Sequence, residues 1–345
     1  MALELTSAQA RRWRRSAHGL GGSELSATAV VRRAVALQGQ DLAAVLRAIA
    51  LRSLPGTSVA DVVGEFNRGH LVRSWPMRGT LFATTPHHLA ALRHFTAARM
   101  HRATIRRREQ LGLEDRLLDK AAEVASAALA ERALSRAEVL GLWEQHGIDT
   151  TAGRGYHLLF HHAVGGLWHW GRFIEGRTEQ LLEPSVPIAI TRPEEALQEI
   201  IRGFVEARGP VTETDLAWWT KLPKSMLRQA IATMTDLVEV SVDGSPAWVV
   251  EGQTPDVAER AGIDLLPAFD EWILGYGDRT LVATPETMAA VVPGNNGVFR
   301  PVVLLDGVVV GTWRSRPRRG EEAFTPTQTV SASNRKRIEK AIASR

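Results

Sequence analysis

Two carboxamides, Gln38 and Gln40, stand two positions apart in the pentapeptide Leu-Gln-Gly-Gln-Asp at 37–41. On a helix their side chains would point apart, whereas in an extended stretch residues i and i+2 share a face. Asp41 suits a helix N-cap, which keeps the chain just before it extended, so both amides can converge. A carboxamide donates and accepts hydrogen bonds, so the pair could position a water. Neither amide can act as a general base. Ordinary polar surface is the competing reading. His157, His161, His162 and His169 raise the question of a metal, because His157 and His161 would share a helix face. No Glu follows His157 and no carboxylate lies within that segment, so a helix and strand account for these residues and no metal is expected. The absence of cysteine excludes thiolate metal sites, iron–sulfur clusters, disulfides and cysteine nucleophiles. A serine elbow, a phosphate-binding glycine loop and a dinucleotide fingerprint are also missing, and no cofactor is expected.

Periodicity and punctuation give the elements that must carry these residues. Helices are expected at 26–36, 42–52 and 58–68, separated by Gln38-Gly39-Gln40 and Pro55-Gly56-Thr57 and capped by Ser58 in the last case. Extended runs at 71–75 and 79–84 follow, joined by Pro76-Met77-Arg78. Three helices and then a β-hairpin is the layout of a winged helix-turn-helix. The order recurs, with helices at 119–132, 136–145 and 151–163 before a hairpin at 167–173 and 180–184. A third copy has helices at 193–208, 213–220 and 224–236 and strands at 237–242 and 247–251. Beyond 263 the character changes to short β runs at 302–305 and 308–313, turned by Asp306-Gly307, and a closing helix at 334–343. The expected fold class is α+β: three tandem winged helix-turn-helix units plus a small C-terminal β-barrel or β-rich domain. The expected divisions are 1–90, 91–190, 191–260 and 261–345.

With 44% hydrophobic and 23% charged residues over 345 positions, the chain can bury a sizeable core. Its first 15 residues lack an apolar signal core, and the apolar run 302–310 is broken by Asp306 and Gly307. Neither a secretory signal nor a membrane span is expected, so the protein is assigned to the cytoplasm, associated with the nucleoid. The formal charge of +4 hides a strong skew, because lysine occurs only at Lys120, Lys221, Lys224, Lys336 and Lys340 among 42 basic residues. Arginine gathers at Arg11, Arg12, Arg14 and Arg15, at Arg93, Arg99, Arg102, Arg106, Arg107 and Arg108, and at Arg314, Arg316, Arg318 and Arg319. Such clusters suit phosphate contacts along a groove, with solvated helix faces as the alternative. Trp168, Trp170, Trp218 and Trp219 read as packing residues rather than base-stacking platforms.

Four segments, in order, carry a resemblance to a known family. They are LQGQD at 37–41, SWPMRGTLF at 74–82, LPAFDEWILGYGDR at 266–279 and DGVVVGTWR at 306–314. Together they resemble the motifs of the bacterial winged-helix DNA glycosylases of the AlkZ and YcaQ type over nearly the whole chain. The resemblance implies three tandem winged helices and a β-rich C-terminal domain around a basic DNA channel. It assigns the catalytic pair to Gln38 and Gln40, in the Gln-x-Gln branch that includes crosslink-unhooking enzymes. Phe82 stands where that family usually has His, Phe269 and Trp272 replace tyrosines, and Gly39 is small for its position.

The implied reaction is removal of a bulky N7-alkylpurine from double-stranded DNA, with interstrand crosslinks between such purines as further substrates. N7 alkylation gives the base a fixed positive charge, so it leaves without protonation, and the enzyme has only to position water and stabilise an oxocarbenium-like sugar. The contribution of each glutamine is then modest. No lysine lies near Gln38 in sequence, so a monofunctional glycosylase without Schiff-base strand cleavage is expected. Arg78, Arg279, Arg314, Arg106 and Arg107 are the expected DNA contacts, and the protein is expected to act as a monomer in repair or in self-resistance to an alkylating natural product. A non-enzymatic DNA-binding regulator or sequestering resistance protein is the alternative from another class, and a protein-binding scaffold is a third.

Overall fold

The computed structural model describes residues 3–253 and 262–344. A short strand β1 (Leu3–Leu5) and helix α1 (Ser7–Ala17) precede the first unit. That unit comprises α2 (Ala27–Ala34), β2 (Ala36–Gln38), α3 (Leu42–Arg52), α4 (Val59–Asn67) and the hairpin β3 (Val72–Met77) and β4 (Thr80–Thr84). The long α5 (Pro86–Gln110) leads to α6 (Asp115–Glu131), α7 (Arg136–Gln145), α8 (Arg154–Gly165) and the hairpin β5 (Trp168–Phe173) and β6 (Gln180–Pro184). The third unit is α9 (Pro193–Arg208), α10 (Glu213–Thr220), α11 (Lys224–Ile231), β7 (Leu237–Val242) and β8 (Ser245–Val250). Three helices followed by a hairpin thus occur three times. The C-terminal part contains β9 (Ile263–Leu266), α12 (Glu271–Leu274), α13 (Pro285–Val291), β10 (Val302–Leu305), β11 (Val308–Trp313), β12 (Phe324–Pro326) and α14 (Ala332–Ala343).

The expected first helix ends earlier than its sequence period suggested. Val35 takes a positive φ of 66°, and the chain turns directly into β2, which pairs antiparallel with β4. This early stop puts Gln38 on a strand. Asp41 caps α3 as expected, its side chain accepting from the Ala44 N–H at 2.9 Å.

The units do not fold as separate beads. The first two wings join in one five-stranded sheet of order β2-β4-β3-β5-β6, and β1 adds a parallel strand to the third wing. Val35, Met77 and Phe82 of the first unit lie in the core formed by α9, α10 and α11, alongside Ile200, Phe204 and Trp219. Trp75 and Leu81 of the first hairpin pack into the core of the second unit.

The C-terminal domain is β-rich, and its sheet, β12-β11-β10-β9, is open rather than closed into a barrel. The reason is visible in the alternation of its strands. Val302 and Leu304 face one core with Trp272 and Val291, while Val303 and Val310 face another with Ile338 and Ile342 of α14. Helices cover both faces, so there is no interior for a barrel to enclose. None of the described helices is long and apolar enough to cross a membrane.

Candidate active site

Gln38 ends β2 opposite Phe82 of β4. Its side chain is buried, and its Oε1 has no hydrogen-bond partner among the described residues. Leaving such an acceptor unmet costs about 1–3 kcal/mol. Gln40, two residues on, is exposed, and its Oε1 accepts from the Leu81 N–H at 3.3 Å. Arg73 braces the loop between them, donating from Nε to the Gly39 carbonyl at 2.6 Å and from Nη2 to that of Gln40 at 3.4 Å. One glutamine is therefore inside and the other at the surface, on either side of a glycine bound to β4 by its N–H and the Leu81 carbonyl at 2.7 Å.

The smallness of Gly39 has a local cause. A Cβ there would lie 3.0 Å from the Ala83 nitrogen and 3.1 Å from the Phe82 carbonyl carbon, both backbone atoms that cannot swing away. Gly39→Val is accordingly expected to destabilise the fold by about 1–3 kcal/mol, read as a lowered Tm. An unchanged melt would show that β2 and β4 can separate freely.

Beneath Gln38 runs a buried polar network that the sequence reading did not foresee. The Gln38 N–H donates to Glu271 Oε1 at 2.8 Å. Arg208 donates from Nε and Nη2 to Glu271 Oε2 at 3.1 and 2.9 Å, and Trp219 Nε1 to the same oxygen at 3.2 Å. Arg208 Nη1 and Nη2 also donate to the carbonyls of Ala34 and Ala36, just before the motif. The Tyr276 hydroxyl donates to the Arg208 carbonyl at 2.7 Å and meets His18 Nε2 at 2.8 Å. With its own proton committed, the hydroxyl must accept from His18 Nε2–H, which turns the Nδ1 lone pair towards Arg52 Nη2, 3.4 Å away. Arg52 in turn makes a two-pronged pair with Asp270 at 2.7 and 3.0 Å. His18 is kept neutral, its pKa pushed well below the ordinary value by burial and then by Arg52 and Arg208. The Asp-Glu step at 270–271 thus ties α12 to both α3 and α9, and Gln38 is its far end. The sequence did carry a signal for this, two adjacent carboxylates inside the otherwise apolar run from Phe269 to Tyr276. Such charges are buried only when paired.

Arg78 and Arg279, expected as DNA contacts, meet on one aromatic ring. Arg78 and Gly79 both take positive φ in the tight turn between β3 and β4, which projects the arginine from the hairpin. Its guanidinium lies 4.0 Å from the centre of the Trp218 ring and donates to the Leu274 carbonyl at 3.1 Å. Arg279 lies 5.2 Å from the same ring and donates to the Ile273 carbonyl at 2.8 Å. Lys221 supplies a third cation at 5.2 Å. Burial, set against the nearby Glu271 carboxylate, lowers Arg78 to about 10, so it remains charged at neutral pH. Trp168 and Trp219 are fully buried packing residues as expected, but half-buried Trp218 is a cation platform.

The other expected contacts lie elsewhere. Arg106 and Arg107 are exposed on α5, with Arg107 donating to Gln110 at 3.4 Å, and Arg314 is exposed and paired with Glu321. Within the N-terminal arginine cluster, Arg14 and Arg15 are engaged inside the protein rather than presented to phosphates. Arg14 is buried, donating to the Pro210 carbonyl and stacking 3.9 Å over Tyr276, and Arg15 pairs with Asp264 at 2.7 Å. These arginines fasten α1 to its neighbours because the helix face they occupy is the packed one.

Nor do the four histidines first considered for a metal converge with a carboxylate. His161 Nδ1 faces His101 Nδ1 at 3.1 Å, and His169 bonds Ser185 at 3.0 Å. Burial pushes His162 and His169 down to about 4 from the ordinary 6.5. Below pH 6.5 the unfolded chain takes up protons that these folded rings refuse until about pH 4. Stability is thus full above pH 6.5 and declines through that window, so thermal melts should show Tm falling by several degrees from pH 7 to pH 5. A flat profile would contradict the burial of these rings.

Repeated helix–hairpin units with cations beside a buried carboxamide define a tandem winged-helix protein with an enclosed polar site. Residues 31–344 match the family described as "DNA glycosylase AlkZ-like", and the chain belongs to that family. It is similar to an "Interstrand DNA cross-link repair glycosylase" of Streptomyces sahachiroi, with 37% identity over 129 residues, or 35% of this chain and 34% of that one. The matched stretch spans about a third of that relative's length. Among solved structures, the "Streptomyces sahachiroi DNA glycosylase AlkZ" shares the fold with a TM-score of 0.79 at 24% identity, covering 99% of this chain and 97% of the other.

Proposed function

We propose that the protein is a monofunctional DNA glycosylase that excises bulky N7-alkylpurines from duplex DNA and unhooks interstrand crosslinks between them, as a monomer in the cytoplasm whose reaction uses no metal. The observation that carries this reading is the orphaned Oε1 of Gln38, in the motif that the family resemblance assigns to catalysis. A preformed, unpaired acceptor is what an attacking water would meet on binding. Because N7 alkylation already makes the base a good leaving group, hydrogen bonds and a polarised water suffice. Gln40, at the surface, is suited to the other side of the same sugar. Glu271 serves as a positioning residue through the Gln38 N–H, and its charge is committed to Arg208.

Arg78, Arg279 and Lys221 around Trp218 supply a concentrated positive site for backbone phosphates flanking the lesion, and exposed Arg106, Arg107 and Arg314 extend that attraction. The test is incubation with duplexes carrying N7-methylguanine or a nitrogen-mustard crosslink, followed by an assay for alkali-labile abasic sites. Base loss without strand breaks before alkali treatment is expected. Duplex binding with no release from either substrate would instead identify a binding protein.

A further inference from the structure

At the junction of the first and third units, two adjacent histidines and a glutamate far away in sequence meet. His87 Nε2 lies 2.8 Å from Glu199 Oε2, and His88 Nε2 lies 2.9 Å from Glu199 Oε1. One ligand atom from each residue falls within 4.8 Å of the others. We propose that His87, His88 and Glu199 form a site for a first-row divalent cation of the zinc class, which clips the start of α5 to α9.

The donor set is two imidazoles and a carboxylate, the mixture that suits zinc, cobalt or nickel and not the oxygen-preferring magnesium or calcium. The distances are close to what a metal needs. Ligand atoms about 2.0–2.1 Å from a tetrahedral ion stand roughly 3.3 Å apart, so each histidine–glutamate contact has to open by about half an ångström. His88 is 2% exposed and held in place, with its backbone N–H donating to the Thr85 cap at 3.2 Å. His87 and Glu199 are 53% and 46% exposed and free to adjust around it. The three residues line an open cavity of about 680 Å³, which leaves room for a water as a fourth ligand. Glu65 and His70 line the same cavity, but the Glu65 carboxylate already accepts from Thr28, Arg68 and His70, so it is not counted among the ligands. No periodicity could have revealed this site, because Glu199 is 111 residues from His88.

The full-length protein, stripped with chelator and dialysed against micromolar zinc, should retain one equivalent of zinc and none of magnesium. Zinc should raise the Tm of the wild type by a few degrees. His87→Ala and Glu199→Gln change exposed side chains and should fold normally, yet bind zinc at least tenfold more weakly and lose the Tm rise. His161→Ala, in the separate histidine pair, should keep both. Failure of the wild type to retain zinc overturns the proposal, as would full retention by both His87→Ala and Glu199→Gln or equal retention of magnesium.

Discussion

Arg208→Ala should lower folding stability by about 3–5 kcal/mol, among the largest effects of any single substitution in this protein. Arg208 and Glu271 are 1% and 3% exposed, so the carboxylate left behind could not recover its hydration. The loss extends past the ion pair, because the same guanidinium satisfies the carbonyls of Ala34 and Ala36 and stacks 4.6 Å over Trp219. Glu271→Ala should cost a similar amount by stranding the arginine. A paired apolar replacement, Arg208→Met with Glu271→Leu, removes both charges together and should cost clearly less than the sum of the two single changes. Urea unfolding followed by circular dichroism reads all three. A loss below about 1 kcal/mol for Arg208→Ala would mean that water reaches the pair, since that is the range of exposed ion pairs.

Gln38→Ala should slow base release by about 10- to 100-fold while duplex affinity stays within a factor of two or so, in keeping with loss of a hydrogen bond made mainly in the transition state. The acceptor lost is one that no described protein group uses, so its removal forfeits no hydrogen bond and relieves a buried unmet group, which offsets the packing lost with the rest of the side chain. Activity and stability should therefore move in opposite directions in this variant, with Tm unchanged or slightly raised. Gln40→Ala should have the smaller effect, since its Oε1 is partly engaged by the Leu81 N–H at 3.3 Å. Single-turnover rates together with melts separate the two glutamines. A Gln38→Ala protein that loses stability along with activity would show that the side chain is structural.

The parts of the molecule that were legible in the sequence are those fixed by local chemistry. Caps and turn residues foretold the three helix–hairpin repeats, Asp41 foretold the extended chain before α3, and Asp306-Gly307 foretold the β10–β11 hairpin. What was not legible depends on distant partners. Nothing near 36–38 announces a strand, because β2 exists only through pairing with β4, some 45 residues on. The fusion of two wings into one sheet rests on the single pair Arg73 and Trp170 between β3 and β5, which no periodicity encodes. Arg14 was misjudged for a related reason. A guanidinium reads as a surface group in sequence, yet Arg14 has a carbonyl and an aromatic face to satisfy it inside. In the candidate site, the family motif singled out Gln38 and Gln40, and Arg78 and Arg279 were expected as DNA contacts. The network that holds them, from Asp270 through Arg52, His18, Tyr276 and Arg208 to Glu271, became visible only once α3, α9 and α12 were brought together.

The most direct measurement is the single-turnover release of N7-methylguanine from a duplex under saturating protein, comparing wild type with the Gln38→Ala, Gln40→Ala double variant at matched DNA occupancy. Wild type should generate abasic sites, and the double variant should bind the duplex equally yet release base at least about 100-fold more slowly. Equal rates in the two proteins would contradict the assignment of catalysis to this pair.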